Sequence, residues 1–190
     1  KAGIMNVHGE VEGVVLKGIS SDYNQKFLTD ILVEGNALYF NAEHEDSELL
    51  ISAYLADRLK LKVNDTFIMS FVQDNRTRKR KFKVVGIFRT NSEELDHNYV
   101  IGSLDLIRRL NNLQEDQAGA YEVRVKDFSQ LAITTQLVAD ELPMDLKATN
   151  VVEYLSDIFN WLEMLDMNDD IIFVLMVIVA IINMISSLLI

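Results

Sequence analysis

The sequence predicts an α+β fold in two parts, split β-α-β units carrying an inserted β-rich subdomain, followed by a transmembrane α-helix. Three observations predict it. The last 20 residues, IIFVLMVIVAIINMISSLLI, carry no charge, and 17 of them are apolar. The preceding 170 residues hold every charge of the chain and alternate short Val-rich or Ile-rich runs with short amphipathic ones. A β-α-β pattern near the start returns after residue 119.

Each element follows from its residues. EVEGVVLKGI at 10–19 is Val-rich and reads as a strand. Ser20, Ser21 and Asp22 can cap a short helix over 23–30, and 37–40 can return as a second strand. Residues 43–48 are acidic and loop-like, and 49–51 form a short strand. Residues 52–60 place Leu55 and Leu59 on one helical face. Two strand-like runs, 66–73 and 78–89, flank Asp74-Asn75, a hairpin turn signal. A strand at 99–101 and a capped helix at 103–110 follow. YEVRVK at 121–126 alternates like a half-buried strand, 129–141 is helical, Pro143 ends that region, and 146–150 can be a strand.

The simplest assembly joins 1–40 and 119–150 into one α/β subdomain. Residues 41–118 become the insertion, 151–170 an amphipathic connecting helix, and 171–190 the transmembrane helix. In the connecting helix Val152, Leu155, Phe159, Leu162 and Leu165 form a stripe widened by Ile158 and Trp161. No Pro or Gly separates it from the span, so movement would pass along it without a hinge.

Twenty helical residues cover about 30 Å, the hydrocarbon thickness of a bilayer. Core helices of soluble proteins seldom run this far without a charge, and a signal peptide would sit at the other end. The flank is acidic, with Asp166, Asp169 and Asp170, and no Lys or Arg follows Lys147. Cytoplasmic flanks are enriched in Lys and Arg, so residues 1–170 are expected outside the cytoplasm. A chain that begins at Lys1 and stops inside the span reads as an excerpt of a longer membrane protein.

Composition and motifs exclude several functions. A formal charge of −11 opposes general nucleic-acid binding. The absence of cysteine removes disulfides, thiolate zinc sites and a cysteine nucleophile. His8, His44 and His97 share no ligand spacing. Glu43, Glu45, Asp46 and Glu48 lack the glycine and ligand order of a calcium loop. No G-x-S-x-G, phosphate loop or H-E-x-x-H occurs, and nothing pairs Glu93, Glu94 or Asp96 as acid and base. No catalytic residue, metal or cofactor is expected, and the segment is not expected to be an enzyme.

Two surfaces remain. Arg76, Arg78, Lys79, Arg80, Lys81 and Lys83 form one basic cluster, either solvated edge charge or a dock for an acidic partner or lipid headgroups. Residues 113–120, LQEDQAGA, join a helix to a strand, and Gly119 permits an unusual backbone angle. They are either a plain connector or a partner-binding loop.

Three stretches resemble a transporter family. LLISAYLADRLKLKVNDTF at 49–67 resembles a pattern of small-residue turn, L-A-x-x-L and Gly-Asp before a strand, with Ser52 for the usual glycine and Asn64-Asp65 for Gly-Asp. KFKVVGIFRTNSEELDHNYVIGSLDLIRRL at 81–110 matches in its V-x-G-I-F, its E-x-D and its final helix. IFNWLEMLDMNDDIIFVLMVIVAIINMISSLLI at 158–190, with W-L and an N-x-I-S-S ending, is similar to the second membrane helix of FtsX/MacB-type ABC transporter permeases. Within these the chain is similar to the lipoprotein-releasing LolC/LolE branch.

The resemblance implies an extracytoplasmic domain of porter and sabre parts in the bacterial inner membrane. A cytoplasmic ABC ATPase subunit would hydrolyse ATP, and a second permease, identical or sister, would complete the pair. Movement of the membrane helices would work the outer domains, extracting lipoprotein cargo and passing it to a periplasmic carrier. The LolC hook that grips the carrier falls at residues 111–120 here. This stretch is short and lacks proline, which favours a LolE-like or dual role. Its partner-binding candidates are Leu113, Gln114, Gln117 and Gly119. A lipid route needs apolar surface near the membrane, each buried methylene being worth about 0.8 kcal/mol. The candidates for lipid and cargo contact are Leu162, Met164, Leu165, Met167, Ile171, Phe173 and Val174, against plain helix packing. Alternatives are a MacB-type exporter of small molecules or peptides and an FtsX-like regulator of a cell-wall hydrolase, the latter usually carrying a smaller outside domain.

Overall fold

A computed structural model describes residues 1–40, 47–73 and 76–189. The chain divides into two compact units, Lys1–Tyr121 and Glu122–Ile190.

The first unit is a sheet closed on itself. Strands β1 (Ala2–Val7) and β2 (Glu10–Ile19) form a hairpin whose closing pair is Val7 opposite Glu10. Its two turn residues, His8 at φ 50° and Gly9 at φ 90°, have the positive φ that a tight type I′ hairpin requires. Helix α1 (Gln25–Ile31) and β3 (Leu32–Gly35) follow. Then come β4 (Glu48–Ser52), α2 (Ala53–Leu59), β5 (Thr66–Gln73) and β6 (Arg76–Phe88). Helix α3 (Glu93–Asn98), β7 (Tyr99–Ser103) and α4 (Leu104–Asn111) complete the unit.

The strand order is β3-β6-β4-β7-β2-β1-β5, and β5 also pairs with β6. That last pairing closes six strands into a ring, with β3 added beside β6. The closure depends on the length of β6. Lys83 has Thr66 of β5 opposite it on one side and Glu48 of β4 on the other. Strand alternation then sends one set of side chains inward. Met5, Leu16, Leu49, Ile51, Phe67, Met69, Phe71, Phe82, Val84 and Val100 fill the interior, joined by Leu55 and Leu59 of α2 and Leu106 and Leu110 of α4. A second cluster gathers Ile19, Leu28, Leu38, Leu50, Phe88 and Ile101 on the opposite face of the strands.

Local chemistry sets the helix ends. Ser52 caps α2 by accepting from the Leu55 N–H at 3.1 Å and donates its hydroxyl to the Asp96 carbonyl. Lys60 ends α2 in the left-handed region at φ 54°. Asn64, at φ 74°, occupies the conformation that makes glycine usual there, and Asp65 accepts from the Lys62 N–H at 2.8 Å. Arg58 of α2 donates Nε–H to the Glu12 carboxylate of β2, and this bond holds the guanidinium pKa above its ordinary value.

The second unit is helical. A 3-10 turn (Phe128–Gln130) leads into α5 (Leu131–Glu141), and α6 (Val151–Tyr154) precedes α7 (Ser156–Leu188). At 33 residues α7 is about 50 Å long. Neither α5 nor α7 has a buried residue.

Several expectations need correction. Residues 121–126 and 146–150 are not strands, because neither has a strand neighbour to complete its hydrogen bonds. The return strand after α1 is β3, not 37–40, although Leu38 is buried. Helix α1 starts later than expected and is capped by Asn24, which accepts from the Phe27 N–H at 3.2 Å, while Ser20 and Asp22 bond to each other. Strands β1 and β2 pair in one sheet with β4–β7. The connecting helix is interrupted at Leu155, and from Ser156 it runs without a break into the apolar stretch. Acidic residues Glu43, Glu45 and Asp46, His44 and the Asp74-Asn75 turn lie outside the described residues.

Candidate functional site

Two regions hold the residues singled out from the sequence, and each is described within its own unit. The first is the loop after α4. Ser103 caps that helix, its hydroxyl accepting from the Asp105 N–H at 3.1 Å. Asn112, at φ 56°, ends it in the left-handed region, and the Leu113 N–H returns to the Arg108 carbonyl at 2.9 Å. The chain then folds tightly on itself. The Gln117 N–H donates to the Gln114 carbonyl at 3.1 Å, and the Gln114 N–H donates to the Gln117 side-chain oxygen at 2.9 Å. Arg108 ties the loop to its helix, donating to the Gln117 carbonyl at 2.9 Å and to Asp105 at 2.8 Å.

Leu113, Gln114 and Gln117 are therefore brought into one turn. The loop is compact, without a protruding β-hairpin. Gly119 is not held in the left-handed region, which is occupied by Asn112 instead, and its Cα faces open space. A hollow of about 570 Å³ lies beside the turn, lined by Asp105, Arg108, Arg109, Leu113 and Glu115. Arg108 and Arg109 are the part that sequence reasoning missed. Their signal was present in the last turn of α4, where basic residues favour the helix C-terminus.

The second region is α7. Leu162, Met164, Leu165, Met167, Ile171, Phe173 and Val174 are all exposed. Helical geometry sorts them, since successive residues turn about 100°. Met164, Met167, Ile171 and Val174 fall within about 80° of arc and form one stripe. Leu162, Leu165 and Phe173 lie on the other side, interleaved with Asp166 and Asp169. At the start of the helix Phe159 stacks on Phe128 with ring centroids 6.2 Å apart. By length and composition α7 is able to cross a membrane.

Elsewhere in the first unit His97 stacks on Tyr54 at 3.7 Å, and His8 forms the β1–β2 turn. No group of three or more metal-ligating side chains occurs among the described residues. A second hollow, about 620 Å³, lies over β1, β2 and β5 and is lined by Ala2, Ile4, Gly13, Val15, Ser70 and Tyr99 among others.

No protein-family model matches the chain, and no curated protein matches it. A solved structure does. The extracellular domain of the noncanonic ABC-type transporter YknZ from Gram-positive bacteria aligns with a TM-score of 0.50 over 79% of this chain and 77% of that one. The chain has the fold of an ABC-transporter extracellular domain. At 15% identity the likeness is one of backbone arrangement.

Proposed function

We propose that this chain is the periplasmic part of an ABC transporter permease in the bacterial inner membrane, coupling cytoplasmic ATP hydrolysis to extraction of lipoproteins and their handover to a periplasmic carrier. The observation that carries the permease reading is a YknZ-like domain fold together with a 33-residue helix that is free of charge from Ile171 onward. Such a helix has length to span the bilayer and to project beyond it, so displacement at the membrane is carried along the helix as far as its first residue, Ser156. ATP hydrolysis belongs to a separate cytoplasmic subunit, and a second permease, self or sister, completes the pair.

The stripe of Met164, Met167, Ile171 and Val174 supports the lipoprotein reading. Methionine adapts to variable acyl shapes, and the stripe straddles the junction of charged and charge-free sequence. The turn at Leu113, Gln114 and Gln117, beside Arg108 and Arg109, is the handover surface. The compact shape of that turn favours a second reading, a MacB-type exporter of small molecules or peptides that needs no hook.

Photocrosslinking in cells tests both, with probes at Leu113, Gln117, Leu162 and Met167. The lipoprotein reading predicts crosslinks from Met167 to lipoproteins and from Leu113 or Gln117 to a soluble carrier. Crosslinks only to an export adaptor or a wall hydrolase contradict it and leave the permease reading intact.

A further inference from the structure

Strand β6 has one side that no described strand covers. Strand β5 lines its first side from Arg76 to Lys83. On the second side the first partner is Glu48, opposite Lys83, and β4 continues from there to Phe88. Over residues 77–82 one row of backbone N–H and C=O groups therefore has no strand partner among the described residues. Such a row is a template for another extended chain.

Charge selects which chain. Six of the protein's 18 Lys and Arg residues lie between positions 76 and 83, in a molecule of net charge −11. Both faces of the edge are positive. Arg78 and Arg80 sit opposite Phe71 and Met69 and share their face, while Lys79 and Lys81 sit opposite Ser70 and Ile68 on the other. Lys79 and Lys81 are exposed. Lys83 is less available, being half-buried with Glu48 opposite it. Exposed apolar groups continue the outer face, with Ile68 opposite Lys81 and Val72 opposite Thr77, 47% and 59% exposed.

We propose that residues 77–82 of β6 accept an extended acidic segment of a partner protein as an added strand. The backbone edge supplies main-chain hydrogen bonds, and alternate carboxylates of the added strand meet Lys79 and Lys81 about 6.6 Å apart. A second copy of β6 is excluded by like charge facing like charge. A lipid surface would use the cations and leave the backbone edge unused. The proposal is independent of which cargo the permease moves.

The test uses the full chain in neutral detergent and a short fluorescein-labelled peptide of alternating glutamate and valine, with binding read by anisotropy. The peptide binds, affinity falls as salt rises, and backbone N-methylation at alternate residues weakens binding by at least about tenfold. Substituting Lys79→Glu with Lys81→Glu abolishes binding of that peptide and creates binding of the lysine–valine counterpart, with an unchanged circular dichroism spectrum. No binding, binding indifferent to N-methylation, or displacement by short-chain phosphatidylglycerol as effective as by unlabelled peptide each overturns the proposal.

Discussion

The two units of this chain contain similar kinds of sequence and reach different ends. In Lys1–Tyr121 alternating strands close on one another and bury Phe71, Phe82, Met5 and Leu16. In Glu122–Ile190 an equally regular alternation at its start forms no strand, and Val123 is 76% exposed. Helices differ in the same way. In α4 Leu106 and Leu110 are buried, whereas in α5 Ile133 and Leu137 are exposed. The difference teaches that alternation states which face a strand can bury and leaves open whether anything covers it. A strand needs a neighbour for its backbone as well as for its side chains.

The sharpest way to break this contrast is to remove one aromatic from each unit. Phe82→Ala leaves a cavity between Phe67 and Phe71, whose rings sit 6.1 Å from its own. It should destabilise the first unit by about 3–5 kcal/mol in urea unfolding followed by circular dichroism. Leu137→Ala in α5 should change stability by less than about 0.5 kcal/mol. Equal effects would mean that α5 is as tightly packed as the ring.

Val177→Arg places a charge in the middle of the apolar stretch and costs about 2.5–3.5 kcal/mol of membrane insertion. The variant should shift from the carbonate-resistant membrane fraction to the soluble one. The same substitution in a helix that only packs against protein would leave fractionation unchanged.

Gly86→Ala probes the packing of β3 and β4 against β6. A Cβ there would meet the Asn36 carbonyl oxygen at 2.5 Å and the Leu32 and Leu50 side chains at 2.9 Å. A loss of about 1–3 kcal/mol is expected, because backbone on one side and a buried Leu on the other leave little room to yield. A neutral result would contradict the close approach of β3 and β4 to β6.

The smallest effects belong to caps and ties. Ser52→Ala should cost about 1 kcal/mol through the lost α2 cap. Arg108→Ala should change global stability by about 0.5–1.5 kcal/mol while making residues 113–118 markedly more sensitive to protease, since it releases Gln117 and Asp105 together.

Elements with a local signature were legible in the sequence. Strand β2, strand β5, the Ser52-capped α2, the Ser103-capped α4 and the long apolar helix all carry their own start signals or periodicity. What depended on partners was not legible. The Asp74-Asn75 turn signal announced the β5–β6 pairing, but no residue of β5 announces its second pairing, with β1, which completes the ring. Strand β1 has the short run AGIMNV before its His-Gly turn, too weak a pattern to mark alone. The break at Leu155 lacks the Pro or Gly that usually signals one. Of the candidate site, the membrane-side apolar residues were legible as a group, and their division into a Met164–Met167–Ile171–Val174 stripe and an acid-bearing side follows once α7 is one continuous helix. Arg108, the residue that shapes the loop, was hidden because its role rests on bonds to Gln117 and Asp105 rather than on a motif.

The central claim is that a YknZ-like domain lies outside the cytoplasm on a helix that spans the membrane. The chain has no cysteine, so single cysteines report without background. With Gln117→Cys and Val177→Cys made separately, a membrane-impermeant maleimide should label position 117 in intact cells and leave position 177 unlabelled until detergent is added. Labelling of position 117 only after lysis would place the domain in the cytoplasm and contradict the account.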